Sequence, residues 1–217
     1  MLSASVPCFV ESAAFGCAPA TVVGLPQTVV RDAGMLELLA AEMRIAELEA
    51  ELAAAREAAY TDPLTGALNR RGFDNACRRE LSRARRNGAP LAIVHVDLDD
   101  FKHLNDTFGH QAGDLALCQL VSVLQKSMRP SDVLCRFGGE EFVLMLPETS
   151  LPAATEVVSR FLRKFSAQTI PGTGRRMTFS AGVVTPRCNE SLDEAIQRAD
   201  AATYAAKHAG KNCVVAG

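Results

Sequence analysis

The segment LAIVHVDLDD, residues 91–100, decides the fold of this chain, because a run of apolar residues ends there abruptly in aspartates. An apolar run of this length, bounded by polar residues, predicts a buried β-strand. Carboxylates at the end of such a strand have a fixed direction, and hard oxygen ligands are those that Mg²⁺ prefers. Asp97, Asp99 and Asp100 therefore indicate a candidate metal site, unless they only end the strand and cap the next helix.

A second acidic segment, RFGGEEF at residues 136–142, combines two glycines with two adjacent carboxylates. Gly138 and Gly139 predict a tight hairpin turn that leaves room for a bulky ligand against the backbone. Glu140 and Glu141 follow at a strand start, where neighbouring side chains point to opposite faces, so we expect different roles for them. A bare hairpin with charged residues would explain the segment equally well.

Apolar runs and helical patterns alternate over residues 61–217. The strand candidates are 91–97, 133–137, 141–146 and 177–184, and the helix candidates are 71–86, 114–127, 152–165 and 192–209. This order predicts an α/β (α+β) domain with a single central antiparallel-mixed sheet flanked by helices, which we expect on one face. The strand ends and the hairpin turn would then converge at one edge of the sheet.

The N-terminal part divides in two. Residues 1–33 are rich in Ala, Val, Ser, Gly and Pro and show no period, so we expect an irregular segment. Residues 34–60 are dense in helix formers and predict one long helix. Its apolar residues follow the a and d positions of a heptad, which predicts a parallel coiled-coil stalk that pairs two chains; an amphipathic helix lying on its own domain is the alternative. The seam residues are Leu38, Ala41, Ile45, Leu48, Leu52, Ala55 and Ala59.

Composition restricts the partners of the chain. Its 23 Lys and Arg against 25 Asp and Glu give a net charge of −2, so no broad basic surface for a long nucleic acid is expected. The seven cysteines never form a C-x-x-C pair, which favours reduced thiols over disulfides or zinc. No basic residue precedes the N-terminal apolar stretch, and Pro and Gly interrupt it. We therefore expect a cytoplasmic protein without a signal peptide or a membrane span.

Motifs distributed over residues 61–217 resemble those of the GGDEF family of diguanylate cyclases. They read DPLTGALNRRGFD (62–74), DLDDFKHLNDTFGHQAGD (97–114), RFGGEEF (136–142), FSAGV (179–183) and ADAATYAAKHAGKN (199–212). The resemblance implies a fold related to nucleotide cyclases and polymerase palms. It also implies an enzyme that condenses two GTP into cyclic di-GMP and releases two pyrophosphates. The name motif reads GGEEF here, an active-looking form.

The resemblance assigns a metal site and catalytic carboxylates to this sequence. It places Mg²⁺, with Mn²⁺ as an alternative, on Asp97, the Leu98 carbonyl and Glu140. Bound metal would lower the pKa of the attacking 3′-hydroxyl and neutralise charge on the phosphates. Glu141 would assist the 3′-hydroxyl or bind a second metal, and the sequence does not separate these two roles. None of the four histidines is assigned to metal.

The resemblance also assigns the triphosphate to the start of a helix. The backbone N–H groups of Asp100, Phe101 and Lys102, together with the Lys102 ammonium as a catalytic group, would hold the outer phosphates. Lys207 and Lys211 lie four residues apart and would reach the same phosphates from one face of the last helix. The family usually has Arg in place of Lys211, so we expect weaker triphosphate binding.

Asn105 and Asp114 read the guanine in this family. An acceptor carboxylate suits guanine N1–H and N2, and an amide donates to O6, so the pair favours GTP over ATP. In the alternative interpretation, Asp114 is a helix N-cap and Asn105 closes an Asx turn. A second departure from the family is Thr203, where an apolar residue is typical and where we expect some cost to helix stability.

An R-x-x-D pair, Arg129 and Asp132, precedes Gly138 at the distance of the family's inhibitory site for cyclic di-GMP. An Arg fork can bind phosphate or the guanine edge, and an Asp accepts from guanine N1 and N2. Arg160 stands at a spacing similar to that of the family's auxiliary arginine. The alternative is a surface ion pair between Arg129 and Asp132, which contributes little.

The resemblance implies that one chain is only half of a catalytic site. Each domain would hold one GTP, and two domains in a homodimer would face each other so that each 3′-hydroxyl attacks the other nucleotide. The stalk would raise the effective concentration of the two half-sites. The competing function is a non-catalytic receptor that binds GTP or cyclic di-GMP and signals through the helix.

Overall fold

The computed structural model describes residues 27–217, with side chains from residue 35 onward, so residues 1–26 of the expected irregular segment lie outside the described residues. Its elements are α1 (Gln27–Tyr60), α2 (Arg70–Asn87), β1 (Leu91–Leu98), α3 (Phe101–Phe108), α4 (His110–Gln125), β2 (Val133–Arg136), β3 (Glu141–Pro147), α5 (Leu151–Ser166), β4 (Phe179–Val184), α6 (Leu192–His208) and β5 (Val214–Ala216). No helix within residues 27–217 combines the length and apolar character needed to cross a bilayer.

The strands form one sheet in the order β2-β3-β1-β4-β5. Neighbours pair antiparallel except β4 and β5, which are parallel. This confirms the predicted mixed sheet. The short strand β5 is absent from the sequence-based prediction, because three residues carry too little periodicity to be recognised.

Both faces of the sheet carry helices. Val94 and Val96 of β1 pack in one apolar cluster with residues of α4 and α5, whereas Leu91 and Ile93 pack in a second cluster with residues of α2 and α6. The expectation of helices on one face is therefore wrong. Because β1 is buried along its whole length, side chains on both of its faces require cover.

Helix α1 begins earlier than predicted. Its first residue is Gln27 rather than residue 34, so residues 27–33, expected to be irregular, are helical. Pro26 is the last proline before Pro63, and the single Gly34 within the helix costs only about 1 kcal/mol. The chain divides into two compact units, of which the second is Glu51–Gly217.

The apolar seam of α1 is exposed in the single chain. Leu38, Ile45, Leu48 and Leu52 expose 59%, 57%, 47% and 50% of their surface. A continuous exposed apolar stripe marks a surface for interaction with a partner. Pairing of two chains through this seam stays a prediction.

A partly buried ion pair connects the residues after α1 with the glycine turn. Arg136 donates from Nη1 to both carboxylate oxygens of Asp62, at 3.0 and 3.2 Å, and from Nη2 to the Gly139 carbonyl at 2.8 Å. Burial raises the pKa of Asp62, but hydrogen bonds from Thr65 and Arg136 outweigh it and hold the pKa below its ordinary value. Asp62 and Arg136 thus fix the turn that carries the GGEEF carboxylates.

We expect Asp62→Asn to lower the free energy of unfolding by about 1–3 kcal/mol near neutral pH, because hydrogen bonds to a charged group are lost. The folded-state pKa of Asp62 is lowered, so this contribution is present above the unfolded pKa and is lost as the pH falls through the folded one. Urea unfolding at neutral and acidic pH measures both effects.

The matched control is Asp74→Asn, which breaks an exposed ion pair with Arg78 and should leave the stability nearly unchanged, because solvent screens such a pair. Equal destabilisation by both substitutions, or an Asp62 effect that persists at acidic pH, would contradict the prediction.

Candidate active site

The pairing of β1 with β3 brings the predicted carboxylates together. Asp97 lies directly opposite Glu141 in the antiparallel register, so the two side chains share a face of the sheet. The Leu98 N–H donates to the Glu140 carbonyl at 3.3 Å, which places Glu140 beside the end of β1. The predicted metal-binding and catalytic carboxylates therefore converge at one end of the sheet.

The charges of this cluster are only partly balanced. Lys207 Nζ lies 2.7 Å from Asp97 Oδ2, whereas Asp97 Oδ1 is buried without a hydrogen-bond partner in the described chain. Burial raises the pKa of Glu140. The negative charges of Asp97 and Glu141 raise it further, whereas the ammonium of Lys207 opposes this shift. Three carboxylates against one ammonium leave a site that is suited to a cation.

The protein ligands available to a metal at this end of the sheet are few. No group of three or more His, Cys, Asp or Glu side chains suited to a metal occurs in the part of the chain that the structure describes. The site instead offers two carboxylates, on Asp97 and Glu140, and Leu98, whose carbonyl is the third predicted ligand, follows Asp97 directly in the chain. Mg²⁺ is commonly bound by one or two carboxylates together with substrate phosphates, and the partnerless Asp97 oxygen fits this mode.

The third aspartate of the segment, Asp99, has a structural role. Its carboxylate accepts hydrogen bonds from Thr178 Oγ1 at 2.6 Å, Ser180 Oγ at 2.7 Å and the Asn212 N–H at 3.0 Å. It is 4% exposed. Asp99 therefore anchors the end of β1 to β4 and to the residues after α6, in line with the alternative that this carboxylate only ends the strand.

The predicted phosphate segment lies at the start of α3. Asp100 adopts a left-handed conformation, with φ 57°, at the N-cap of α3, and the first N–H groups of a helix have no intrahelical acceptor. The side chain of Lys102 is exposed. Backbone donors and one ammonium thus stand together next to the carboxylates.

The two lysines near the C-terminus do not share a helix face. Lys207 lies in the last turn of α6, which ends at His208, and Lys211 follows in a left-handed conformation with φ 64°. Gly210, at φ 116°, ends the helical path between them, so the expectation is wrong. Lys211 Nζ instead lies 2.6 Å from Asp100 Oδ1, and this hydrogen bond raises the lysine pKa.

The residues expected to read guanine lie on α3 and α4. Gly109 is the N-cap of α4 and Asp114 is inside it, so the N-cap alternative for Asp114 is wrong, and the predicted start of this helix at 114 is wrong with it. Asn105 is helical and its buried Oδ1 has no hydrogen-bond partner in the described chain. A Cβ on Gly113 would overlap that oxygen. Asn105 therefore packs beside the residue that precedes Asp114.

The two glycines of the turn have different environments. A Cβ on Gly138 would lie 2.5 Å from Glu141 Oε2, whereas one on Gly139 would meet no atom within 4 Å. Gly138 allows the Glu141 carboxylate to fold back against the turn, and Gly139 leaves the open space that the sequence predicts for a ligand.

The predicted inhibitory residues lie at the other end of β2 from the glycine turn. The Asp132 carboxylate accepts from the Arg129 backbone N–H at 2.8 Å, so the alternative of a side-chain ion pair between them is wrong. Lys164 of α5 donates to Ser127 Oγ at 3.0 Å, which brings α5 beside this loop. Arg160 lies one turn before Lys164 and is exposed.

Sequence reasoning missed two features near the carboxylates. The Asp62–Arg136 pair joins residues 74 positions apart, a separation that no local spacing reveals. A cavity of about 480 Å³ lies beside Glu141, His95 and Asp200, and the Arg70 guanidinium at its wall lies 4.6 Å from the centre of the Phe137 ring.

Comparisons with known proteins identify the family of the chain. Residues 59–213 match the family model described as diguanylate cyclase, GGDEF domain. Diguanylate cyclase DgcP of Pseudomonas aeruginosa is 40% identical over 159 residues, which are 72% of this chain and 24% of DgcP. Diguanylate cyclase DgcM of Escherichia coli K12 is 40% identical over 162 residues, which are 73% of this chain and 38% of DgcM. The chain thus spans only part of the length of these relatives.

A solved structure of a GGDEF domain is similar to this chain as well. The crystal structure of the coiled coil and GGDEF domain of DgcB from Caulobacter crescentus, in complex with c-di-GMP, is similar with a TM-score of 0.79 and 29% identity. The similarity covers 84% of this chain and 98% of that chain. Because the family match covers β1 to β4 and the glycine turn and ends directly before β5, this chain belongs to the GGDEF domain family of diguanylate cyclases.

Proposed function

We propose that this chain is a diguanylate cyclase that condenses two GTP into cyclic di-GMP and releases two pyrophosphates in the cytoplasm. The observation that carries the proposal is the convergence of Asp97, Glu140 and Glu141 around a buried carboxylate oxygen without a partner. A non-catalytic receptor would not need three carboxylates held together against their mutual repulsion. The intact cluster therefore favours an enzyme over a receptor.

Asp97, Glu140 and the Leu98 carbonyl would hold Mg²⁺ or Mn²⁺. Such an ion supplies Lewis-acid stabilisation of charge on the α-phosphate and lowers the pKa of the 3′-hydroxyl. Lys102 and the first N–H groups of α3 bind the outer phosphates. Glu141, on the same face as Asp97, accepts the proton of the 3′-hydroxyl or binds a second ion.

Two lysines complete the phosphate site. Lys207 and Lys211 now pair with Asp97 and Asp100, and a bound triphosphate offers these ammonium groups a stronger anionic partner. Lys211 acts as a point charge and not as the bidentate fork of an arginine. Asp114 accepts from guanine N1 and N2 while the Asn105 amide donates to O6, which selects GTP.

The reaction requires two chains, because each nucleotide attacks the other and each domain binds one. The exposed seam of α1 provides the surface through which a homodimer forms, and the related DgcB structure contains a coiled coil. A parallel stalk keeps the two half-sites at a high effective concentration.

The product, cyclic di-GMP, inhibits the enzyme as it accumulates. Arg129, Asp132 and Arg160 would bind cyclic di-GMP away from the carboxylates, with the arginines on phosphate or guanine edges and the aspartate on N1 and N2. The DgcB structure was determined in complex with c-di-GMP. Product held between two domains keeps the half-sites apart and slows turnover.

We expect Glu140→Gln to abolish turnover while the fold is kept, because an amide has the shape of the carboxylate but lacks the charge that holds the metal. Purified protein with GTP and Mg²⁺, followed by chromatography of the nucleotides, measures the product, and circular dichroism checks the fold. The control is Glu148→Gln at the far end of β3, which is exposed. Parent-like synthesis by Glu140→Gln would show that the metal assignment is wrong.

Charges on the seam should weaken activity only when the protein is dilute. We expect Ile45→Glu with Leu52→Glu to lower specific activity at low protein concentration and to recover it at high concentration, since encounter and not chemistry is damaged. The matched control, Ala46→Glu with Ala53→Glu, places the same charges off the seam. A specific activity of the seam variant that does not depend on concentration would contradict the stalk.

Arg129→Ala should relieve product inhibition. We expect the parent rate to decline as cyclic di-GMP accumulates and the variant rate to decline less, because one of the product's anionic or guanine contacts is lost. Progress curves with added cyclic di-GMP, and calorimetry of its binding, measure the effect, with the exposed Arg187→Ala as control. Identical inhibition in parent and Arg129→Ala would show that Arg129 does not contribute to an inhibitory site.

A further inference from the structure

A buried polar contact lies where α6 crosses β1. His95 and Thr203 are 3% and 2% exposed, and His95 Nδ1 lies 3.1 Å from Thr203 Oγ1. The same hydroxyl oxygen lies 3.0 Å from the carbonyl oxygens of both His95 and Ala199. The proposed chemistry uses neither side chain.

The hydroxyl has one proton, which fixes the direction of these bonds. Two carbonyl oxygens lie within its reach, and a carbonyl can only accept. Thr203 Oγ1 therefore donates to a carbonyl and accepts from the ring, so that His95 carries its proton on Nδ1. A single hydroxyl thus binds the ring of His95 and lies 3.0 Å from the His95 carbonyl oxygen as well.

This contact sits between the two elements that carry the active-site charges. Asp97 lies two residues after His95, on the same face of β1. Lys207 lies one turn after Thr203 on α6, and its Nζ is 2.7 Å from Asp97 Oδ2. The distance between a carboxylate and its ammonium is therefore set at this crossing.

The backbone of α6 rests directly on the sheet at the same point. Gly182 of β4 lies opposite His95, and a Cβ there would overlap the Ala199 carbonyl oxygen and lie 2.6 Å from the Thr203 nitrogen. Apolar contacts alone would allow the helix to slide or rotate here, because they have no direction. Directional hydrogen bonds at the contact fix the rotation of α6 about its axis and its position along the sheet.

We propose that His95 and Thr203 are positioning residues, which hold α6 so that the Lys207 ammonium faces Asp97 and the triphosphate. The inference rests on the proposed function, because it assigns Lys207 to the phosphates. An apolar pair of similar volume would fill the same space, so the polar pair contributes orientation in addition to burial.

Thr203→Val removes the hydroxyl and keeps the shape, and Thr203→Ser keeps the hydroxyl. We expect Thr203→Val to lower kcat/KM for GTP about tenfold, equivalent to about 1.4 kcal/mol, and Thr203→Ser to stay near the parent. In a Lys207→Met background, Thr203→Val should cause no further loss, because the two residues act through one ammonium. Additive losses, or an unchanged kcat/KM in Thr203→Val, would overturn the proposal.

A second variant separates positioning from stability. Thr203→Val alone removes the hydroxyl that accepts from His95 Nδ1, leaves only Asp200 Oδ1 at 3.7 Å and should lower the thermal midpoint. His95→Leu with Thr203→Val instead replaces both partners by apolar groups. We expect the double variant to regain the thermal midpoint but to keep the loss in kcat/KM. Recovery of both quantities would mean that the pair is merely structural and would overturn the proposal.

Two measurements distinguish a failure of this inference from a failure of the proposed function. The His95 Nδ1–H resonance in NMR spectra of the ¹⁵N-labelled parent should be slow to exchange, present in Thr203→Ser and lost in Thr203→Val, whether or not GTP reacts; its absence from the parent would overturn the inference. A parent that binds GTP with Mg²⁺ in calorimetry without forming cyclic di-GMP would overturn the proposed function alone. The same double-mutant cycle, measured as Kd for GTP, then tests the pair.

Discussion

The antiparallel register between β1 and β3 is the constraint on which the site depends, because it sets Asp97 directly opposite Glu141. Like charges placed opposite each other destabilise a sheet, so this end of the sheet carries a cost that its neighbours must offset. Lys207 offsets a part of it through its contact with Asp97. Burial, together with the charges of Asp97 and Glu141, raises the pKa of Glu140, and one Asp97 oxygen has no hydrogen-bond partner in the described chain. A divalent cation at this place would offset the remaining negative charge.

Two rigid supports hold this end of the sheet. Asp99 fixes the end of β1 through three hydrogen bonds, from Thr178, Ser180 and Asn212. Arg136 fixes the glycine turn by bonding the Gly139 carbonyl and Asp62 at once. The carboxylates of Asp99 and Asp62 contact no substrate in the proposed chemistry. They nevertheless determine where the carboxylates of the candidate active site are placed. Within residues 91–100, Asp97 thus belongs to the proposed metal site, whereas Asp99 has a structural role.

The sequence predicts what local periodicity encodes. β1, the hairpin and α6 lie within two residues of their predicted bounds, because each has a clear apolar period and a clear end. The helix candidates left out α3 (Phe101–Phe108) and began α4 at 114 rather than at His110, since this stretch is rich in weak helix formers such as Asn, Asp, Thr and Gly. The partners of Asp62 and Thr203 are set by tertiary contacts between distant residues, which a single sequence does not reveal. The convergence of the carboxylates was predicted from the order of the strands and the hairpin, and the family resemblance added the role of each carboxylate.

The last turn of α1 is attached to the start of α2 by hydrogen bonds in addition to the covalent chain. The Asn69 N–H donates to the Tyr60 carbonyl at 2.9 Å, and its amide donates to the carbonyls of Ala59 and Thr61 at 3.0 and 3.2 Å. The same side chain caps α2 by accepting from the Gly72 N–H. The last turn of α1 therefore has a fixed orientation relative to α2. A stalk that pairs two chains needs such an attachment, because half-sites on a loose joint would meet in many orientations and few of them would be productive.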